Sequence, residues 1–486
     1  MSLRMLGASL MVLALAQPVM ADEETELLRQ QIKALEARLT ELEHKQAAAA
    51  QQAQRQNPPQ APSAVQAPSL QAAAPLAARV DAIEQKESKE ATVEYGNGHG
   101  LSVTSPDKQF QLRMGGYFQA DNHTFIDNSN PSGNTDQSYI RSARPIFEAK
   151  LYDDFSARLM LDFGNGQTTL LDAYGDYNAS DAFNLRAGKF KDPMGLERWQ
   201  SEQNVLFVER GMTTNLVPYR DNGFEIYGNV IPSVLEYQLA LTNGAPDLVN
   251  STNNTDNDQT VFGRVFAHPF KETDVKVLQG VGVGVAGSYG THGGSVTSPD
   301  LTTGYVTPAQ SKFFTYLSGG TAATTAVADG EQWRFNPQAT YYNGPFSLLG
   351  EYVLENQDVR VATHSKALEN DAWEAIVTYV LTGEDARFDG VIPRNDFDYA
   401  RNQWGAFELV GRVSELHIDD ATFPTFASLA TSAKAAQEST FGGTWYMNAN
   451  VKLNLDFAVT QFTGGGAAGA DRTTEKAILS RAQVKF

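Results

Sequence analysis

The 486-residue chain has no cysteine, and after its N-terminus it has no apolar run long enough to form a membrane helix. The lack of thiols excludes disulfide frameworks, thiolate metal sites and cysteine nucleophiles. The mean hydropathy of −0.34 is typical of a water-soluble protein. A membrane protein of this composition is still possible in one form, because a β-barrel strand needs only about ten residues with every second one apolar.

Positive charge and histidine are also scarce. The 38 Lys and Arg residues face 57 Asp and Glu residues, and the resulting net charge of −19 argues against a nucleic-acid partner. The seven histidines have no metal-ligand spacing, and no Ser/His/Asp grouping or phosphate-binding glycine loop is present. We therefore predict no catalytic residues, no metal and no cofactor. Phe and Tyr, at 26 and 18 residues, are abundant and suit strands and interfacial aromatic girdles.

Both ends of the sequence carry features typical of an exported barrel. Residues 1–21 read as a signal peptide, with Arg4 before an apolar run and the small-residue cleavage site Val19-Met-Ala21. The segment Ala477–Phe486 alternates apolar and polar residues and ends in Phe, and it resembles the C-terminal strand by which outer-membrane barrels are recognised for assembly. We expect an outer-membrane protein of the Gram-negative type.

Residues 22–46 are predicted to form a coiled-coil helix, because apolar residues repeat with heptad spacing at Leu28, Ile32, Leu35, Leu39 and Leu42. Residues 47–92 read as an Ala/Gln/Pro-rich linker with one short helical stretch. We expect this N-terminal part to be periplasmic, where the helix could touch the cell wall. We also expect a homotrimer, held by the barrel walls and assisted by the helix.

Residues 93–486 are predicted to form an all-β domain, a transmembrane antiparallel barrel of about 16 strands. From about Lys108 the apolar residues repeat with a period of two, as in Phe155, Ala157 and Leu159. Sixteen such segments begin near residues 109, 140, 155, 169, 183, 224, 235, 260, 280, 333, 346, 372, 404, 441, 451 and 478. The alternative, a soluble all-β protein, would not need long and short connections to alternate.

The connections between these segments alternate in length, as they do between the outer loops and periplasmic turns of a barrel. The long ones are predicted near 121–138, 191–222, 243–258, 290–332, 355–370, 415–439 and 463–476. Two connections break the rule: residues 383–403 are long where a short turn is expected, and the second outer loop, near Gly164, is short.

Eight arginines fall on the polar side of their strands and are predicted to point into the lumen: Arg113, Arg144, Arg158, Arg186, Arg264, Arg334, Arg412 and Arg481. Arginine stays charged and binds oxyanions through a planar fork, so such a lining favours anions. The alternative is a mixed lumen, in which each arginine pairs with an inward carboxylate such as Glu148, Asp162, Asp172, Glu236 or Glu408.

The connection after the fifth strand is the predicted constriction. It spans about thirty residues and carries the cations Lys191, Arg198, Arg210 and Arg220. A long loop at this place in a porin-sized barrel can fold into the lumen and narrow it. The alternative is an external loop with ordinary surface charges.

The sequence resembles the phosphate-selective porins O and P over roughly residues 93–486. The segments that carry the resemblance are Leu185–Glu197, Phe207–Arg210, Asp221–Glu225, Tyr379–Glu384, Trp404–Arg412 and Arg481–Phe486. The resemblance implies a sixteen-stranded trimeric barrel that conducts phosphate or polyphosphate along a ladder of arginines to a lysine-bearing constriction. Lys189 and Lys191 lie within the matched signature.

Three functions remain open on the sequence alone. The first is passive uptake of anions such as phosphate or polyphosphate through an arginine-lined channel. The second is a general diffusion porin whose arginines are balanced by carboxylates. The third is a structural barrel that tethers the envelope through its N-terminal helix and linker. An outer-membrane enzyme has no nucleophile constellation in its favour.

Overall fold

The computed structural model describes residues 90–96, 100–126, 133, 135–251, 253–254 and 256–486. The predicted signal peptide, the heptad helix and nearly all of the linker lie outside these residues. No helix in the described part of the chain has the length and hydropathy that a membrane crossing requires.

Sixteen antiparallel strands form one closed sheet, and a short N-terminal hairpin extends it. The strands of the sheet, hairpin first, are β1 (Thr92–Gly96), β2 (Gly100–Thr104), β3 (Phe110–Phe125), β4 (Gln137–Leu151), β5 (Phe155–Asp162), β6 (Thr169–Ser180), β7 (Phe183–Phe190), β8 (Asp221–Ile231), β9 (Leu235–Thr242), β10 (Thr260–Ala267), β11 (Val281–Gly293), β14 (Val327–Asn343), β15 (Phe346–Val361), β16 (His364–Val380), β17 (Ala406–His417), β18 (Ala433–Tyr446), β19 (Val451–Gly464) and β20 (Glu475–Lys485). A separate small hairpin of β12 (Tyr305–Val306) and β13 (Lys312–Phe314) lies within a loop.

Helical structure in the described residues is confined to the connections. One helical turn, α1, spans Leu196–Trp199. Short 3₁₀ turns span Gly164–Gly166, Glu202–Asn204, Met212–Leu216, Lys276–Leu278, Tyr399–Arg401, Asp420–Thr422 and Ala467–Gly469.

The barrel closes where β20 pairs with β3 over residues 117–125. Gly116 and Phe486 exchange two backbone hydrogen bonds of 2.9 Å just beyond this ladder. The lower part of the same β3 edge, residues 111–114, pairs with β2. The edge is thereby occupied along its length, which removes the unpaired backbone groups that a bilayer does not tolerate.

The alternation of apolar and polar residues gives the sheet two different faces. Leu159 on β5 is 40% exposed on the outer surface, whereas its neighbour Arg158 forms ion pairs with carboxylates of β4 and β6. Successive side chains of a strand point to opposite faces, so one face meets lipid and the other the lumen.

The predicted count of sixteen barrel strands and their order are confirmed. One predicted connection is wrong. The proposed outer loop at 355–370 is strand, because β15 and β16 continue through it and meet at a turn of two residues, Ala362 and Thr363. Polar residues on both strand faces suggested a loop, but these strands have their polar residues paired across the ladder, as in Arg360 opposite Ser365.

The two faces of β5 should respond differently to charge. We expect Leu159→Arg to lower the free energy of unfolding in lipid vesicles by about 2–4 kcal/mol, because it places a cation against hydrocarbon. Leu159→Ala is the control for lost apolar area, and Arg158→Gln should leave assembly intact. Urea unfolding followed by electrophoretic mobility measures the difference. Equal stability of Leu159→Arg and Leu159→Ala would show that this face does not meet lipid.

Candidate functional site

The connection between β7 and β8, residues 191–220, folds inside the barrel; we call it the inner loop. Its middle is enclosed, since Met212 and Leu216 have no exposed surface. The loop contains α1 and two of the 3₁₀ turns, and non-helical segments join them. Backbone buried in this way must find hydrogen-bond partners outside its own loop.

Side chains of the opposite barrel wall supply these partners. Glu351 on β15 accepts the amides of Leu196 and Glu197 at 2.7 and 3.0 Å. Asp456 on β19 accepts the amide of Val208 at 2.6 Å. Further contacts of the same kind are the Asn336 side-chain oxygen with the Gly195 amide (2.9 Å) and the Lys452 ammonium with the Val205 carbonyl (3.0 Å). The inner loop is therefore tied to β14, β15 and β19.

Three of the arginines predicted to line the lumen belong to the same attachment. The Arg412 guanidinium contacts Glu197 of the inner loop and Glu438 of β18, each at 3.1 Å. Arg334 donates to the Leu216 carbonyl at 3.1 Å. Arg481 pairs with Asp121 at 2.7 Å, and its guanidinium is 3.8 Å from Glu209 of the inner loop. These arginines hold the loop in place.

Other connections enclose the inner loop from both ends of the barrel. The long connection between β16 and β17 reaches it from the turn side, where Gln200 donates to the Phe388 carbonyl at 2.6 Å. The hairpin β12–β13 reaches it from the loop side, where Asn215 and Val306 exchange hydrogen bonds of 3.0 and 2.9 Å.

Two cavities lie between the inner loop and the wall formed by β3 to β8. The turn-side cavity, of about 200 Å³, is bordered by strand residues such as Arg158, Tyr174 and Arg186. The loop-side cavity, of about 360 Å³, is bordered by the connections around Asn165 and Thr303. Both cavities share Arg144, Tyr219, Arg210 and Glu202. We call these four residues the throat.

The throat residues form hydrogen bonds and ion pairs with each other and with neighbouring side chains. The Arg144 guanidinium contacts Asp162 at 2.6 Å, the Tyr117 hydroxyl at 2.6 Å and the Tyr219 hydroxyl at 3.2 Å. Arg210 pairs with Glu202. Burial alone would raise the pKa of Glu202, but the fields of Arg210, Arg141 and Arg144 outweigh it and lower that pKa well below its ordinary value. Glu202 therefore carries its negative charge in the throat at neutral pH.

Each of the eight predicted luminal arginines has a carboxylate partner. The pairs not yet given are Arg113 with Glu148 (3.3 Å), Arg158 with Glu148 and with Asp172 (3.0 Å), Arg186 with Asp176 (2.8 Å) and Glu225 (3.0 Å), Arg264 with Glu236 (2.5 Å), and Arg334 with Asp247 (2.6 Å). Arg144, Arg158 and Arg186 border the two cavities, whereas the walls of these cavities do not include the other five. Glu408, proposed as a further partner, instead accepts the Tyr446 hydroxyl at 2.8 Å.

The four predicted loop cations differ in their partners. Arg210 is paired with Glu202, and Arg220 with Asp172 at 2.6 Å. Lys191 instead donates to the carbonyls of Trp199 and Gln200, both at 3.2 Å. Arg198 donates to the Thr214 carbonyl at 2.9 Å and lies 5.0 Å from the centre of the Tyr219 ring. Within the described residues, neither Lys191 nor Arg198 has a carboxylate oxygen within 4.0 Å.

Sequence reasoning missed Arg141 and the carboxylates that hold the inner loop. Arg141 is the extra residue of a bulge between β3 and β4, where Gln119 pairs with Ser142 and Ala120 with Ile140. Its guanidinium contacts Glu209 at 2.6 Å although strict alternation from Arg144 assigns it to the outer face. Glu351 and Asp456 occupy lumen-facing positions of their strands. The sequence alone does not show that the inner loop passes beside them.

Two groups of side chains among the described residues have the spacing of metal ligands. They are Asp121 with His123 and Glu209, and Asp256 with His292 and Asp300. In the first group both carboxylates already bind arginines, Arg481 and Arg141. In the second, His292 contacts Asp300 at 2.7 Å and Asp256 accepts the Gly293 amide at 2.9 Å.

Loss of Glu351 should loosen the inner loop. Glu351→Ala leaves two buried amides without an acceptor, at a cost of about 1–3 kcal/mol each. We expect larger and noisier single-channel conductance in a planar bilayer. Glu351→Gln keeps one acceptor oxygen and should have the smaller effect, and Glu331→Ala, at an exposed site on β14, is the control. Unchanged conductance in Glu351→Ala would mean that the loop does not depend on this contact.

Comparison with known proteins agrees with this architecture. A curated relative, Porin O of Pseudomonas aeruginosa, is 25% identical over 380 residues, which are 74% of this chain and 84% of that protein. The solved outer membrane channel DcaP of Acinetobacter baumannii superposes with a TM-score of 0.50 at 11% identity, over 78% of this chain and 97% of that one. An anion-selective porin from Comamonas acidovorans gives a TM-score of 0.46 at 9% identity, over 78% and 100% of the two chains.

The family comparison is more specific than these structural likenesses, which extend to the fold alone. The model of the phosphate-selective porin O and P family matches residues 112–486, which include all sixteen barrel strands except the first two residues of β3. The chain therefore belongs to the phosphate-selective porin O and P family and is a non-enzymatic outer-membrane porin.

Proposed function

We propose that the protein conducts small hydrophilic anions, phosphate among them, passively across the outer membrane. The solute moves from the loop-side cavity through the throat into the turn-side cavity. The single observation that carries this proposal is the position of Lys191 and Arg198, which border these cavities and have no carboxylate partner in the described part of the chain. The name of the family points in the same direction.

Unpaired cations matter here because the paired arginines are largely neutralised. A passing ion experiences an arginine with a carboxylate at 2.6–3.0 Å as a dipole. It experiences a cation without a carboxylate partner as a full charge. In a narrow passage with low-dielectric walls this charge acts more strongly than it would in bulk water. Several moderate sites also favour conduction, since an ion must be able to leave each one.

Eight predicted luminal arginines remain our candidates for the anion pathway, but they divide into two roles. Arg144, Arg158 and Arg186, with the loop cations Lys191, Arg210 and Arg220, border the turn-side cavity and would contact the solute. Arg264, Arg334, Arg412 and Arg481 are buried, and the last three contact the inner loop. Arg113 lies near the turn end of β3. A polyphosphate chain would have to use the first group.

A general diffusion porin is the second candidate, and the carboxylate pairing of all eight arginines favours it. Reversal potentials in a KCl gradient separate the two functions. An anion channel gives a potential of the sign set by chloride, and a general diffusion porin with balanced charge gives a value near zero.

Assembly and the N-terminal segment complete the proposal. We infer a homotrimer, with residues 1–21 removed on export and the helix at 22–46 placed in the periplasm by the linker 47–92. Cross-linking in mild detergent tests the trimer. Removal of residues 22–90 tests the helix, and we expect a weaker trimer with unchanged single-channel conductance. Loss of envelope integrity in this variant would favour the tethering function.

Neutralisation of the unpaired loop cations should reduce anion preference. In the double variant Lys191→Gln/Arg198→Gln we expect the reversal potential to move towards that of a cation channel. The concentration of phosphate that halves the chloride current should rise about fivefold for each charge, from a loss of about 1 kcal/mol. The control is Lys150→Gln/Lys271→Gln, which removes the same charge from exposed sites near the turns. Equal shifts in both double variants would contradict a role of the loop.

We also expect anion preference to fall as the pH rises, at a lower pH than a lysine with the usual pKa would cause. Burial, with the nearby charges of Arg220 and Arg210, lowers the pKa of Lys191 well below its usual value of 10.5. A lysine loses its charge above its pKa, so its contribution to anion preference is present at lower pH and disappears in the alkaline direction before pH 10.5. Lys191→Gln should abolish this step in a titration of the reversal potential. A step of the same size in Lys191→Gln would assign it to another group.

A further inference from the structure

The turn-side cavity combines aromatic rings with cations. Its wall contains five rings, those of Tyr117, Tyr174, Phe190, Trp199 and Tyr219. The same wall contains six cationic side chains and only two carboxylates, Asp172 and Glu202. A cavity that served only a small hydrated anion would need hydrogen-bond donors, since a ring face cannot replace the water around such an ion.

Several of these side chains are only partly buried, although the surrounding lumen is packed. Tyr174, Trp199 and Tyr219 retain exposed surface, as do Arg186 and Lys191. Neighbours such as Phe190 and Leu196 are almost fully buried. The rings and cations that remain accessible are therefore those that a solute in the cavity would touch.

Guanidinium groups lie close to the faces of two of these rings. Arg186 lies 4.1 Å from the centre of the Tyr174 ring, and Arg264 lies 5.4 Å from that of Trp199. Aromatic side chains with such contacts provide apolar contact area at little entropic cost on binding.

An unsatisfied donor lies in the same wall. Arg220 is 3% exposed and pairs with Asp172 through Nε, whereas its Nη1 has no hydrogen-bond partner among the described residues. Lys191 borders the cavity beside it and has no carboxylate partner in the described residues. The Nη1 atom of Arg220 has no exposed surface, whereas Lys191 retains some, so an oxyanion in the cavity would contact Lys191.

We propose that the turn-side cavity binds monovalent organic anions that carry one planar ring, such as aromatic carboxylates or sulfonates. The anionic group contacts Lys191 and Arg186, and the ring contacts Trp199 and Tyr174, all of which border the cavity and retain exposed surface. The cavity volume of about 200 Å³ suits a single ring and is below the roughly 300–1,000 Å³ of pockets for drug-sized ligands. This inference rests on the proposed anion channel and names a class of solute for it.

Block of the chloride current in a planar bilayer tests the inference on the wild-type channel. Three monovalent probes are compared: benzenesulfonate, methanesulfonate and cyclohexylsulfamate, whose saturated ring has a similar size. We expect the half-blocking concentration of benzenesulfonate to be at least about fivefold lower than that of each of the other two, from ring contacts beyond simple burial. Equal block by benzenesulfonate and cyclohexylsulfamate would overturn the inference, since size alone would then explain it.

Variants locate the site. Trp199→Leu and Tyr174→Leu should each bring the ratio of half-blocking concentrations for methanesulfonate and benzenesulfonate closer to one, and Trp199→Phe should retain most of it. Tyr342→Leu is the control, because Tyr342 packs against the apolar cluster that contains Leu206 and Phe207 and is not part of the cavity wall. An unchanged ratio in both leucine variants at positions 199 and 174 would overturn the placement.

The reversal potential in the same bilayers separates this inference from the proposed function. A channel that prefers chloride but does not distinguish the three probes overturns only the aromatic site. A channel that prefers potassium overturns the anion function, whatever the order of block.

Discussion

Satisfaction of buried backbone amides by carboxylates of the barrel wall is the constraint on which the interior depends. A loop inside a barrel loses water as a partner, and each unsatisfied amide would cost about 1–3 kcal/mol. Glu351 and Asp456 accept three such amides from the inner loop. These carboxylates, like Glu197 and Glu438 around Arg412, also account for part of the acidic balance of a chain that nevertheless belongs to an anion-porin family.

Because of this constraint, the charged side chains on the two halves of the barrel wall have different roles. Along β14 to β20, charged side chains such as Glu351, Arg412 and Asp456 hold the inner loop. Along β3 to β8, the loop leaves open space, and Arg144, Arg158 and Arg186 border it. The same residue type therefore has a structural role on one wall and is a candidate for solute contact on the other.

The sequence predicted the strands well because lipid enforces alternation, and the order of the sixteen segments follows from it. It could not separate Arg158, which borders a cavity, from Arg412, which is buried against the inner loop, because both have the same phase. Arg141 was missed because one bulge residue shifts the parity. The loop at 355–370 was wrong because β15 and β16 continue their ladder through it, with polar residues such as Arg360 and Ser365 opposite each other.

Two strands, β2 and β20, pair with the same edge of β3, and this has a consequence for assembly of the barrel. Gly116 and Phe486 are farther apart in sequence than any other pair in the sheet, so their contact closes its largest loop and carries the greatest loop-closure entropy cost. The β1–β2 hairpin, by contrast, is local and can cover residues 111–114 early. When β2 already pairs with part of the β3 edge, less unpaired backbone is exposed to strands of other chains before β20 pairs with the rest.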